Sequence, residues 1–243
     1  MKKRSFLLAG LLAVLPSFVS AEEPVDPFKI ATTPVPRPDA WWTQRHEKCV
    51  QVTKAGGVDL AFLGDSITQG WEGGGKAVWE TNFAPLKAAN FGFSGDRTEH
   101  VLWRLDNGEL VGLKPRLIVI MIGTNNLGHR EAKQTPDSTA TGVNAIVAKL
   151  REKLPESKIL LMGIFPRDEK PDGRLRVATA EATAKFKDVA DGKTVQFLDI
   201  GQLFLQPDGV MSKEIMGDFL HPGAKGYQIW ADAILPKVKE MMK

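Results

Sequence analysis

Leu117-Ile118-Val119-Ile120-Met121-Ile122 is a continuous apolar run, rich in β-branched residues and introduced by Lys114-Pro115-Arg116. A strand points successive side chains to opposite faces, so a run with no polar alternation must be covered on both of them. Four further segments, largely apolar, also read as buried strands: 58–63, 88–91, 158–162 and 195–198. Helical patterns stand between them. Thr98 to Asp106 places Val101, Leu102 and Leu105 at helix spacing, and Asn107-Gly108 stops it. Ser138 to Leu154 carries Val143, Ile146, Val147 and Leu150 on one face. Arg174 to Ala190 is alanine-rich with Phe186 and Val189, and Lys225 to Met242 carries Ile229, Trp230, Ala233, Ile234 and Val238. Strands alternating with helices predict an α/β domain, a parallel sheet with helices on both sides. Its reactive groups then belong beyond the carboxyl ends of the strands.

The beginning of the chain reads as an export signal. Lys2, Lys3 and Arg4 precede an apolar run from Phe6 to Val19, and Val19-Ser20-Ala21 is a small-residue ending suited to signal peptidase. The run is shorter than the roughly 20 residues a comfortable span needs. Residues 1–21 are therefore read as a signal peptide, with an uncleaved anchor as the rival reading. The expected product is a secreted or periplasmic protein with no stable membrane insertion after cleavage. The net charge of +3 is matched by those three leader cations, so the rest of the chain is near neutral. Basicity is thus no argument for a nucleic-acid partner. Pro24, Pro27, Pro34, Pro36 and Pro38 suggest an extended, semi-rigid lead-in over 22–39. A single domain over 40–243 follows. Cys49 is the only cysteine, so neither an intrachain disulfide nor a multi-cysteine metal site can form.

Three loops after strands and one before the last helix carry the chemistry. They are Gly64-Asp65-Ser66-Ile67-Thr68, Gly92-Phe93-Ser94-Gly95-Asp96, Gly123-Thr124-Asn125-Asn126 and Asp218-Phe219-Leu220-His221-Pro222-Gly223. A serine hydroxyl is a poor nucleophile until a base takes its proton and a third group orients that base. His221 can act on Ser66, and Asp218, three residues earlier, can hold the imidazole Nδ1–H. Acyl transfer also needs donors aimed at the oxyanion. The N–H groups of Ser66 and Gly95 and the side-chain amide of Asn125 can supply them. None of this requires a metal or a cofactor.

The same four segments, in this order, resemble the SGNH/GDSL acylhydrolase family. Ser66, Gly95, Asn125 and His221 match its four named residues, and Asp218 its acidic one. Within the family the stretch from Asn90 to Leu110, Lys114-Pro115 and Gly123-Thr124-Asn125-Asn126 are similar to the catalytic subunits of the intracellular platelet-activating-factor acetylhydrolases. The resemblance implies a three-layer α/β/α sandwich, flavodoxin-like, on five parallel strands. It also implies a short-chain, acetyl-type esterase whose acyl pocket is bounded by Ile67 and Leu220. The export signal departs from those intracellular relatives, which leaves the alcohol half open between acetylated carbohydrate and lipid. The subunits it resembles pair with one another, so a homodimer stays open too. The rival class is a non-catalytic glycan-binding module on the same fold.

Other readings are weaker. There is no Gly-x-Ser-x-Gly elbow, no His-Glu-x-x-His, and no dinucleotide or phosphate loop. Among the remaining histidines, His46 is expected to pack or face solvent, His100 to be solvated, and His129 to stand near the pocket rim. Asp65 and Asp96 are expected to brace their loops through backbone hydrogen bonds. Trp79, Trp103 and Trp230 are expected in the core, and Cys49 as a buried apolar side chain.

Overall fold

The computed structural model describes residues 26–129 and 134–243. The proposed signal peptide lies outside the described residues. In chain order the elements are α1 (Pro27–Thr32), α2 (Ala40–Ala55), β1 (Leu60–Gly64), α3 (Ser66–Gln69), α4 (Lys76–Asn82), β2 (Ala88–Gly92) and α5 (Thr98–Asp106). They continue as β3 (Leu117–Met121), α6 (Thr124–Gly128), α7 (Pro136–Lys153), β4 (Lys158–Met162), α8 (Arg174–Phe186), β5 (Val195–Leu198) and α9 (Ala224–Met241). All five predicted strands are present. The strands form one parallel sheet in the order β2-β1-β3-β4-β5. This is the flavodoxin-like order, whose direction of winding reverses between β1 and β3.

Alternation along the strands sorts the core into two layers. Ala61, Leu63, Ile118, Ile120, Ile159 and Leu161 pack with residues of α2, α5, α7 and α8. Leu60, Phe62, Leu117, Val119, Leu160 and Met162 pack with α9 and the segment around Trp71 and Phe83. Neighbouring residues of one strand thus face opposite helical layers, which is why β1 and β3, in the middle of the sheet, carry no polar positions. Burial at roughly 1.5–3 kcal/mol per large apolar side chain makes these two layers the principal source of stability.

The lead-in differs from expectation. Residues 27–32 are helical, with Asp26 capping Phe28 N and Pro27 at the first position. Ala31 is fully buried, and its carbonyl accepts from Thr98 Oγ1 at 2.8 Å. An N-cap followed by Pro at N1 is a helix-start signal, and here it outweighs proline density. The short helices α3, α4 and α6 also form, immediately after strands or turns, where apolar periodicity has too few residues to register.

Candidate active site

The switch point brings the loops after β1, β2 and β3 to one edge of the sheet. Ser66 opens α3, directly after β1, and is half-buried. Asp65 caps that helix: its Oδ1 accepts from Ile67 N at 2.9 Å. The other end of the chain arrives through the loop before α9. Ser66 Oγ stands 2.9 Å from His221 Nε2, across 155 residues of sequence. His221 Nδ1 is 2.6 Å from Asp218 Oδ2. A carboxylate can only accept, so the imidazole proton belongs on Nδ1 and the Nε2 lone pair faces the serine hydroxyl.

The Asp218–His221 turn is held from within. Asp218 Oδ1 accepts from Leu220 N at 3.0 Å and His221 N at 2.8 Å. Phe219 takes a left-handed φ of 58°, which folds the turn back, and its carbonyl accepts from Asp168 N at 3.0 Å. Such a conformation costs a non-glycine residue about 1–2 kcal/mol. Partial burial raises the Asp218 carboxyl, but hydrogen bonds from the His221 side chain and backbone outweigh this and hold it below the ordinary value. It is therefore ionised opposite the imidazole.

The expected oxyanion donors meet on the same edge. Gly95 has φ +76°, a conformation that strains a side chain. Asn125, in the first turn of α6, donates Nδ2–H to Asp96 O at 3.0 Å and thereby ties the β3 loop to the β2 loop. The amide has a second hydrogen to direct at a ligand. Thr124, beside it, is held through its carbonyl and hydroxyl by Arg167 Nη1 at 3.2 and 3.1 Å.

Some expectations need correction. Ile67, read as a pocket wall, is 1% exposed and belongs to the core layer beneath the site. Its carbonyl accepts from the Tyr227 hydroxyl at 2.7 Å, which pins the residue inward. Leu220 is half-buried against the same layer. Asp96 does not brace its loop through backbone donors. It accepts from Trp42 Nε1 at 2.7 Å and Arg104 Nε at 2.9 Å, with no exposure of its own. His100 is buried rather than solvated, and its Nδ1 accepts from Arg97 N at 3.0 Å. Burial, with Arg97, Arg37 and Arg104 nearby, pushes its pKa down to about 3, so it is neutral. His46 is buried, stacked on Trp42 and bonded to Asn107 O at 3.0 Å. His129 is half-buried at the end of α6, its N–H on Asn125 O at 3.1 Å.

Sequence reasoning passed over Arg104. This fully buried guanidinium donates to Asp96, to Glu109, to Phe91 O at 3.2 Å and to Gly64 O at 3.3 Å. Gly64 and Phe91 lie at the ends of β1 and β2, so one side chain fixes the roots of the Ser66 and Gly95 loops. Its one sequence signal is a charged residue between Leu102 and Leu105 on a buried helix. Among the described residues no three His, Cys, Asp or Glu side chains form a metal-ligand cluster. No helix there is long and apolar enough to cross a membrane.

Residues 62–229 match the GDSL-like Lipase/Acylhydrolase family. The platelet-activating factor acetylhydrolase IB subunit alpha2 of Rattus norvegicus is 40% identical over 190 residues, which are 78% of this chain and 80% of that protein. Among solved structures, a GDSL-like lipase from Bacteroides thetaiotaomicron superposes with a TM-score of 0.66 at 19% identity, covering 80% of this chain and 97% of that one. An acetylxylan esterase from Geobacillus stearothermophilus does so with a TM-score of 0.60 at 20% identity, covering 75% and 94%.

Proposed function

The chain belongs to the GDSL-like lipase/acylhydrolase family, and from that membership we propose that it is an exported serine esterase releasing short acyl groups, acetate above all, through Ser66, His221 and Asp218. It is a carboxylic ester hydrolase. The observation that carries the finer reading is the unbroken chain of contacts from Ser66 Oγ to His221 Nε2 and from His221 Nδ1 to Asp218.

The mechanism follows from those contacts. His221 Nε2 takes the Ser66 proton as Oγ attacks the ester carbonyl, and Asp218 stabilises the imidazolium that results. Charge develops on the carbonyl oxygen, and in this reading Ser66 N–H, Gly95 N–H and the second Asn125 amide hydrogen receive it. The imidazolium returns its proton to the departing alkoxide. Water, deprotonated by the same nitrogen, then cleaves the acyl-enzyme. The bulk of Leu220 beside His221 supports a short acyl group; the buried Ile67 contributes support to the loop instead. Acetylated carbohydrate and acetylated lipid are both substrates of this kind.

Export is the second part of the proposal and rests on Lys2-Lys3-Arg4, the following apolar run and Val19-Ser20-Ala21. p-Nitrophenol release from p-nitrophenyl esters of increasing acyl chain length tests the activity. Turnover of the acetate ester is expected to exceed that of the octanoate ester at least tenfold and to vanish in Ser66→Ala. Equal rates would remove the short-acyl reading, and full turnover in Ser66→Ala would remove the mechanism. An amino-terminal sequence starting at Glu22 in protein recovered outside the cytosol tests export; retention of Met1 in that fraction contradicts cleavage.

A further inference from the structure

The segment between α1 and α2 reaches the active-site edge, and two of its side chains, with one from the first turn of α2, have no part in the chemistry above. Arg37 reaches to the loop after β2, where its Nη1 donates to Ser94 O at 2.6 Å. A Cβ built on Gly95 would stand 2.7 Å from the same nitrogen. Arg37 therefore lies on the residue whose N–H is assigned to the oxyanion. Its other edge is paired with Asp39, with Nε donating to Oδ2 at 3.0 Å and Nη2 2.9 Å from that oxygen. Trp41 stands alongside, its ring centroid 5.3 Å from the guanidinium carbon. Trp42, Trp71 and Trp230 are sunk in the core, whereas Trp41 leaves 41% of its surface to solvent.

A single exposed tryptophan is unremarkable on a protein surface. Its company decides the matter. A rigid indole beside a fixed set of guanidinium donors and carboxylate acceptors matches a sugar ring, which offers C–H groups on its faces and hydroxyls around its rim. Charge separates this ligand from the alternative. Asp39 neutralises Arg37, and Asp96 Oδ1 lies 3.9 Å from Nη1 on the inner side. Arg37 thus has no surplus positive charge for a phosphate, which would have to displace Asp39 from the guanidinium fork. We infer that Trp41, Arg37 and Asp39 form the subsite for the alcohol half of the ester, and that this half is a neutral sugar. The inference rests on the esterase reading of Ser66 and names its substrate class as O-acetylated carbohydrate.

Calorimetric titration of the full chain carrying Ser66→Ala reads binding without turnover. O-acetylated xylotriose is one probe and an acetylated glycerophosphocholine the other. The sugar is expected to bind, Trp41→Ala to weaken it about tenfold or more, and Trp41→Phe to restore most of the affinity. The aromatic replacement guards against a fold defect in the alanine variant. A sugar that does not bind, a sugar bound equally without Trp41, or binding of the phosphocholine ester that depends on Trp41 would each overturn the inference. Turnover by the unsubstituted chain is measured beside it. If no ester is cleaved while sugar binding still depends on Trp41, the esterase reading falls and the sugar subsite stands.

Discussion

Arg104 Nε donates to Asp96 Oδ2 at 2.9 Å, and neither side chain has any solvent exposure. The guanidinium also meets Glu109 and the carbonyls of Gly64 and Phe91. A single buried cation thus joins two carboxylates to the ends of the two strands that carry Ser66 and Gly95. Phe93 lies over it, with its ring centroid 4.0 Å from the guanidinium carbon. Replacing the residue exposes the cost of the arrangement, because the carboxylates stay behind.

Arg104→Ala leaves Asp96 and Glu109 buried without their shared cation. A loss of about 3–5 kcal/mol is expected, since breaking a buried pair strands the other charge. Arg104→Lys keeps the charge but not the planar fork that reaches both carboxylates and the carbonyls, so it falls between the alanine variant and the native protein. Urea unfolding measures both. A loss below about 1 kcal/mol in Arg104→Ala would contradict the role assigned to this residue.

Asn125 is expected to act on the transition state rather than on the bound ester. Asn125→Ala therefore lowers kcat about 10²–10³-fold while KM moves little. Steady-state kinetics on p-nitrophenyl acetate separate the two constants. A kcat loss under threefold would remove Asn125 from the oxyanion site.

Much of this arrangement is legible in the residues themselves. The apolar run at Leu117 to Met121 dictates a doubly covered strand, and the Thr98–Asp106 helix ends where Asn107-Gly108 indicates. Strand-end loops point to Ser66, Gly95 and Asn125, because a parallel sheet sends all such loops to one edge. What escapes the sequence is long-range polar pairing. Nothing local marks Arg104 as the partner of Asp96 and Glu109, or Arg37 as the partner of Ser94. His100 lies off the apolar stripe of α5, yet it is covered and bonded to Arg97 N. Helix periodicity tells which face meets the core and says nothing of loops folding over the first turn. Ile67 follows the nucleophile in sequence, but the first turn of α3 swings it into the core.

Asp65 gives a pH signature. Burial raises its pKa from 3.8 to about 7, against the opposing pull of the Ile67 N–H. An unfolded Asp65 ionises near 3.8, so across the interval up to about 7 the folded chain holds the additional proton. Stability attributable to this group therefore falls as pH rises through that interval, and the full cost is present above it. Asp65→Asn removes the cost and retains an acceptor for Ile67 N. The Tm gain of the variant over the native protein is expected to be larger at pH 8 than at pH 4.5, by scanning calorimetry. A gain that is equal or smaller at pH 8 would show that Asp65 is not buried as a charge.

Asp218→Asn keeps the shape of the turn but replaces an obligatory acceptor with an amide that also donates. The imidazole then loses its fixed tautomer. A fall in kcat of about 10²–10⁴-fold is expected with KM within threefold. The side chain is 57% exposed, so water can take part of its place, which puts the result toward the lower end of that range. Turnover unchanged in Asp218→Asn would show that His221 is oriented by something else.

The most direct measurement is the rate of covalent labelling of Ser66 by a fluorophosphonate, read by peptide mass spectrometry in the native chain and in His221→Ala. One labelled serine, Ser66, is expected, with labelling slowed at least about a hundredfold when His221 is removed. Label on a different serine, or an equal rate at Ser66 in His221→Ala, would contradict it.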